Sequence, residues 1–271
     1  MHGTNGNKKN SAISMTEPLT LTPLPSIPLI QPGDDLGLII QQAITRAGIN
    51  LLDGDIIVIA QKIVSKSEGR LVNLTTVEPS QRAIELACAT EKDPRITELV
   101  LQESKEILRM RPRTVIVEHR LGFVCANAGI DHSNVRGEGD EREEWVLLLP
   151  EDPDASARKI RQELEGIYRI RLGVMIIDSH GRAWRNGTTG VAIGLSGLPG
   201  LVDLRGHPDL FGYVLQITQV GAADELAAGA SLIMGQAAEA TPVVHVRGFP
   251  YPLRESELSE LLRPKEMDLF R

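Results

Sequence analysis

Val174-Met-Ile-Ile-Asp178-Ser179-His-Gly-Arg182-Ala-Trp-Arg185-Asn-Gly187 begins as an uninterrupted apolar run and changes at one residue into carboxylate, hydroxyl, imidazole, glycine and arginine. Val174 to Ile177 reads as a buried strand that ends at Asp178. Cys125-Ala-Asn-Ala-Gly-Ile-Asp131-His-Ser-Asn134 repeats the grammar, with an Asp just after a short apolar run and Ser and Asn behind it. A strand end holds a carboxylate rigidly beside a mobile loop. Hard divalent cations need anionic oxygen ligands in fixed positions, whereas phosphates need Arg forks and free backbone N–H groups; the two segments offer both. One reading is therefore a metal–nucleotide site built from two halves. The other is that Asp131 and Asp178 cap turns, as Asp often does after a strand.

Outward from this pair, short apolar runs alternate with amphipathic stretches. Pro32-Gly-Asp-Asp35 leads into a helix expected over Leu36 to Ala47, stopped near Gly48, and the turn Asp53-Gly54 precedes a buried strand at Ile56 to Ala60. Further helices are expected from Ser80, the cap after Pro79, to Ala89, and from Arg95 to Leu108. Strands follow at Val115 to Val117, Gly122 to Cys125 and Trp145 to Leu149, then an amphipathic helix over Asp154 to Gly166. Past Asp178 the pattern predicts a strand over Leu215 to Val220, a helix over Asp224 to Met234, a strand over Val243 to Val246 and a last helix over Glu255 to Leu262. The alternation is irregular and several neighbours read as antiparallel, so the fold class is α+β with mixed sheets rather than a doubly wound sheet. Gly187, Gly190, Gly194, Gly197 and Gly200 lack the spacing of a dinucleotide fingerprint, and close packing or turns explain them better than ligand contact.

Composition narrows the function classes. The chain has 271 residues, 42% of them hydrophobic, enough for a substantial core. A net charge of -7 with 3% aromatics argues against nucleic acid as a partner. Cys88 and Cys125 lie in apolar contexts and read as small buried hydrophobes, neither a disulfide framework nor a zinc site. No apolar run approaches a membrane span and no secretory core is present, which predicts a cytoplasmic protein. Residues 1–20 are rich in Asn, Ser, Thr, Lys and Gly and read as a flexible leader, with Met15 a second candidate start.

Seven segments carry a resemblance. Pro32-Gly-Asp-Asp-Leu36, Asp53-Gly-Asp55, Gln61-Lys-Ile-Val-Ser-Lys66-Ser-Glu-Gly-Arg70, Asn127-Ala-Gly-Ile-Asp131-His-Ser-Asn134, Leu149-Pro-Glu-Asp-Pro-Asp154, Asp178-Ser-His-Gly-Arg182 and Met234-Gly-Gln236 together resemble the coenzyme F420-0:L-glutamate ligase family, in order, from about residue 27 to 248. The resemblance implies an enzyme of F420 biosynthesis that joins L-glutamate to F420-0 through an amide bond. It also implies GTP, Mg²⁺ or Mn²⁺ (as many as two ions), K⁺ as an optional further ion, and an uncommon two-lobed fold in an intertwined homodimer. The expected division is a leader at 1–20, a ligase domain at 21–251 and a C-terminal helix or tail at 252–271. This would be the stand-alone form, without the reductase domain fused in some relatives.

By the same resemblance, Asp131, Asp178, Ser179 and Gln236 match metal ligands, an oxygen set that suits Mg²⁺ or Mn²⁺ over Zn²⁺. Many relatives carry Glu where Gln236 stands, so its carbonyl would coordinate without charge. Lys66 and Asn134 match nucleotide contacts, as do Ile27, Pro28, Leu29 and Ile30, Gln61 and Lys62, and the segment from Met234 through Gly235, Gln236 and Ala237 to Thr241. Lys66 meets phosphate as a point charge or is a solvated surface lysine. Asp131, Asp178, Arg182 and Arg185 are the expected catalytic set, the arginines clamping substrate phosphate or carboxylate unless they pair with Asp178 or surface acids.

A carboxylate resists amine attack until its oxygen becomes a leaving group, and phosphoryl transfer from a nucleotide achieves that by way of an acyl phosphate. No general base is evident; Glu68 is a candidate, or else a partner for Arg70. His132 and His180 read as turn or supporting residues, and Trp184 as a stacking platform for the deazaflavin or as packing between lobes. Two rival functions stand beside the ligase: a metal-dependent phosphotransferase or phosphohydrolase using the same acids, and a non-catalytic deazaflavin-binding or nucleotide-binding protein.

Overall fold

Ile56-Ile-Val-Ile-Ala60 is β-branched at four of five positions and offers apolar side chains to both faces, the composition of a strand covered on both sides. In a computed structural model describing residues 17–137 and 144–269, it lies at the centre of the main sheet. Of the leader expected at 1–20, residues 1–16 lie outside the described residues, and Thr20 already belongs to the first strand.

The chain runs through β1 (Thr20–Pro23), α1 (Leu36–Arg46), β2 (Ile56–Ala60), α2 (Gln61–Ser67) and β3 (Leu71–Asn73). A helix pair, α3 (Gln81–Thr90) and α4 (Pro94–Gln102), precedes the meander β4 (Ser104–Arg111), β5 (Thr114–His119) and β6 (Val124–Ala126). Then come β7 (Trp145–Leu147), α5 (Pro153–Tyr168) and the long hairpin β8 (Gly173–Arg182) and β9 (Arg185–Ser196). The short pair β10 (Val202–Asp203) and β11 (Gln219–Val220), α6 (Ala222–Met234) and β12 (Val243–Arg247) complete it.

The main sheet has the order β1-β12-β2-β8-β9, with only β2 and β8 parallel. Its alternating residues feed two cores. Ile57, Ile59, Val174 and Ile176 pack with α1 and α5 through Ile40, Ile44, Ile160 and Leu164. Ile56, Val58, Met175 and Ile177 pack with α6 through Leu226, Ala227 and Ala230. Two glycines let these helices approach β9. A Cβ on Gly190 would lie 2.4 Å from the Ala227 carbonyl oxygen, and one on Gly194 2.6 Å from the Pro153 carbonyl oxygen. The mixed α+β class is as the sequence predicts, and the close-packing reading of the glycines holds at both positions.

Several expected boundaries move. The strand over Val174 to Ile177 continues through Asp178 to Arg182, and the glycine-rich stretch beyond it is its antiparallel partner. The helix expected to reach Leu108 stops at Gln102. Glu103 turns inward to meet Arg70 at 3.0 Å and Arg120 at 3.0 Å, and 104–111 pair with β5 instead; tertiary pairing overrides the local helical preference of this segment. Of the strand over 215–220, only Gln219 and Val220 pair as a strand. The last helix is reduced to a 3-10 turn at Leu258–Glu260. Around it the backbone is tied down: Leu258 N–H donates to the Asp154 carboxylate at 3.0 Å, the Ser256 hydroxyl donates to the Leu198 carbonyl, and Arg254 reaches the Leu201 carbonyl. Cys88 is exposed, not buried, whereas Cys125 is buried as expected.

Candidate functional site

The last register pair of the parallel strands is Ala60 with Ile177. One residue further, the chain enters α2 at Gln61 on one strand and reaches Asp178 on the other. Two carboxyl ends of adjacent parallel strands thus deliver an amide and a carboxylate to the same edge, where ligands bind in open α/β sheets. Asp131 comes from a different layer. It follows a 3-10 turn after β6 and is pinned to Leu147 by reciprocal backbone bonds of 2.9 Å. Its carboxylate accepts from Gln61 Nε2 at 2.7 Å, and the carbonyl of that amide accepts from the Ser65 hydroxyl at 2.9 Å, which sets the orientation of the buried Gln61.

Lys62 and Lys66 lie four apart on α2 and share a face. Lys62 Nζ stands 3.5 Å from the Asp131 carboxylate and donates to the Ser133 hydroxyl at 2.9 Å. Lys66 Nζ donates to the Asn134 carbonyl at 2.8 Å, and the Asn134 side chain donates to the Ala237 carbonyl at 3.0 Å. The segment after Asp131 is therefore stitched between α2 and the loop after α6. Asp178 faces His180, whose Nε2 lies 3.0 Å from its Oδ2. Among the described residues, neither Asp131 nor Asp178 caps a turn with its side chain, so the turn-cap reading lacks support.

Burial, and secondarily the charge of Asp178, push the Asp131 carboxyl up to about 6, against the pull of Lys62 and Gln61. Burial and the neighbouring charge of Lys62 lower Lys66, while Asp131 draws it back up. Burial and Asp178 raise the Cys125 thiol to about 12, which removes it as a nucleophile.

Beside these groups opens a cavity of about 810 Å³, within the size range of sites for drug-sized ligands. Residues 27–30, Gln61, Lys62, Lys66, Asn134, Asp178, Ser179 and 234–237 all line it, so the structure gathers almost the whole expected set. Asp131 is not one of the lining residues and is joined to them by the hydrogen bond it accepts from Gln61. Gln236 lines the cavity while its amide donates to the Ser231 hydroxyl at 3.0 Å. Arg182 and Arg185 are the exception. They are cross-strand partners at the far end of the β8–β9 hairpin, four and seven residues beyond Asp178, and His180 rather than either arginine meets that carboxylate. They contact neither Asp178 nor the cavity, because β8 does not stop at Asp178 but carries them away from it.

Arg136 and Ser231 are among the lining residues that were not expected. Arg136 lies two residues past Asn134 in the segment already singled out, and that proximity was the available signal. Glu68 is engaged structurally, accepting from the Ser156 hydroxyl and the Glu151 N–H, while Arg70 pairs with Glu103, so the expected pairing of Glu68 with Arg70 does not hold.

Among the described residues no group of three or more His, Cys, Asp or Glu could hold a metal. The expected set has only two carboxylates, completed by the Ser179 hydroxyl and the Gln236 amide oxygen. Its donors are all oxygen, and Asp131, raised chiefly by burial, is raised further by the charge of Asp178. A hard divalent cation fits that chemistry, since it would relieve the repulsion.

A model of the family described as F420-0:gamma-glutamyl ligase matches residues 25–248. "Coenzyme F420:L-glutamate ligase" of Methanothermobacter thermautotrophicus is 46% identical over 255 residues, covering 93% of this chain and 99% of the relative. The proteins of the same name from Methanocaldococcus jannaschii and Methanopyrus kandleri are each 43% identical, over 90% and 93% of this chain and 94% and 98% of their own lengths. With the family match spanning from before the cavity's apolar edge to the end of β12, the chain belongs to the F420-0:gamma-glutamyl ligase family.

Proposed function

We propose that this chain joins L-glutamate to the carboxylate of coenzyme F420-0, coupled to the hydrolysis of GTP. The observation that carries the reading is the convergence of Asp131 and Asp178 beside a nucleotide-sized cavity whose wall carries Lys62 and Lys66. In the proposed sequence, an oxygen of the acceptor carboxylate attacks the γ-phosphorus of GTP, giving an acyl phosphate and GDP. The glutamate amine then attacks the acyl carbon, loses its proton, and expels inorganic phosphate as the amide forms. The protein's part is to position these groups and offset phosphate charge. Lys62 and Lys66 would meet phosphate oxygens in place of Ser133 and Asn134, and residues 27–30 would cover the base. Asp131, Asp178, Ser179 and Gln236 would hold Mg²⁺ or Mn²⁺, as one ion or two, which supplies Lewis-acid neutralisation of the phosphates. K⁺ would be an optional further ion, and two copies of the chain, each two-lobed, would intertwine as a homodimer. The protein would work in the cytoplasm; among the described residues no helix is long and apolar enough to cross a membrane.

The test is mass spectrometry of the protein incubated with F420-0, L-glutamate, GTP and Mn²⁺, beside Asp131→Asn and Asp178→Asn. Glutamate-sized mass increments that disappear in both variants, with a loss of at least about 100-fold in rate, are expected. GTP hydrolysis that proceeds without glutamate and yields no increment would instead favour the phosphohydrolase reading. Binding without any turnover would favour a deazaflavin-binding protein.

A further inference from the structure

His180 follows Asp178 by two residues on β8, so the two side chains leave the same face of the strand. Its Nε2 lies 3.0 Å from Asp178 Oδ2, and because a carboxylate only accepts, the imidazole is the donor. The two side chains are 11% and 12% exposed, so water competes little for that bond. Among the described residues no other group hydrogen-bonds the Asp178 carboxylate: one oxygen is held and the other is left for a ligand. The imidazole is itself held, and from a different layer. The Phe123 ring stands 5.2 Å from the His180 ring at 49°, and Phe123 is stacked on the fully buried His119, 5.2 Å away and 6° from parallel. His119 is anchored in turn, its Nδ1 accepting from the Leu121 N–H at 3.0 Å and its Nε2 lying 3.6 Å from the buried Glu103. His119 ends β5, Phe123 precedes β6, and the same chain continues through a 3-10 turn to Asp131. The meander therefore carries Asp131 on its own backbone and reaches Asp178 through three rings.

We propose that His180 is the positioning residue of Asp178, an inference that rests on Asp131 and Asp178 holding a divalent cation. Wedged by Phe123, His180 fixes the orientation of the carboxylate and thereby its relation to Asp131, so the seam between the meander and β8 sets the two acids in register. Gln61 plays the corresponding part for Asp131, which it meets at 2.7 Å while its own amide is held by Ser65. A carboxylate free to turn about its Cβ–Cγ bond must be ordered when it meets a cation, whereas a held one has been ordered in folding. A histidine that merely shielded a half-buried acid would contribute to stability and leave cation affinity alone. That difference separates the two roles.

The experiment is Mn²⁺ binding to the full chain, read by spin resonance with thermal midpoints on the same samples. The proteins are wild type, Asp178→Asn, His180→Phe, His180→Gln, Phe123→Leu and the double variant His180→Phe/Phe123→Leu. His180→Phe keeps a ring against Phe123 and removes the donor; it is expected to raise the Kd for Mn²⁺ about 10- to 100-fold. His180→Gln sets an amide N–H where Nε2 stands and is expected to restore most of that affinity. Phe123→Leu should weaken binding on its own and add nothing to His180→Phe, because its effect passes through the imidazole. Unchanged Mn²⁺ affinity in His180→Phe overturns the positioning role, whatever the thermal midpoint does, and so does a loss that His180→Gln fails to restore. Full additivity of the two ring substitutions overturns the wedge. A wild type that binds no Mn²⁺, or binding that survives Asp178→Asn, overturns the cation site itself and the positioning role with it, a result that the His180 variants alone cannot produce.

Discussion

Gln61 shows how one buried side chain organises a charged site. It donates to Asp131 and accepts from Ser65, so the carboxylate is held by a group that cannot itself rotate freely. Gln61→Leu keeps the volume and removes both bonds; the expected outcome is Mn²⁺ affinity lower by about 10- to 100-fold with the thermal midpoint little changed, read by spin resonance and calorimetry. Asp55 is the structural counterpart. Burial alone would raise its carboxyl, but the Arg247 fork at 2.6 and 2.9 Å, His245 at 2.9 Å and the Leu52 N–H outweigh burial and hold it at about 2, below the ordinary 3.8. A carboxyl depressed in the folded state binds protons more weakly there than in the unfolded chain. Its stabilisation, about 2 kcal/mol, is complete above pH 4 to 5 and is lost as pH falls towards 2. Urea unfolding at stepped pH should show that acid limb flattened in Asp55→Asn; an unchanged slope between pH 4 and 2 would remove Asp55 as its source.

At the level of elements, glycines decide how closely helices meet the sheet. Gly190→Ala would set a methyl 2.4 Å from the Ala227 carbonyl and 2.6 Å from Ser231 Cβ, so α6 must retreat from β9. The expected cost is about 1–3 kcal/mol, with weaker nucleotide binding as well because Ser231 holds Gln236 at the cavity. Gly166 in α5 has open space around an added Cβ, and Gly166→Ala should gain about 0.5–1 kcal/mol. Opposite signs for the same substitution, measured as thermal midpoints, separate close approach from backbone entropy. The same contrast explains what the sequence could show. Buried strands such as Ile56–Ala60 and capped helices such as the one starting at Ser80 were legible because their signals are local. The extension of β8 past Asp178 was not, because Ser, His, Gly and Arg look like a loop until β9 pairs with them. Asp131 and Asp178 stood out as candidates, whereas the distance of Arg182 and Arg185 from Asp178 depended on that one unseen pairing. Ser104–Arg111 was lost for the same reason: its partner β5 lies across a turn that local pattern does not announce.

Across the whole molecule, the connection between β10 and β11 raises the question of what covers it. Leu210, Phe211 and Ile217 are 97%, 96% and 87% exposed, three large apolar side chains held outward within one short connection. The segment is nonetheless ordered by its own bonds. The Asp209 carboxylate accepts from the Phe211 and Tyr213 N–H groups, and Pro208 bridges to Val214. A rigid segment that holds large apolar side chains outward bears a hydration cost that another surface would relieve, and an aromatic anchor beside aliphatic residues is the composition of an interface hot spot. The proposed homodimer would bury it. Light scattering at micromolar concentration should give twice the chain mass, and Leu210→Asp/Phe211→Asp should shift the protein to monomer with a dimer Kd raised by at least about 100-fold. A wild type that runs as a monomer at that concentration removes the dimer. A dimer that survives the double substitution places the interface elsewhere and leaves the apolar segment to a different surface.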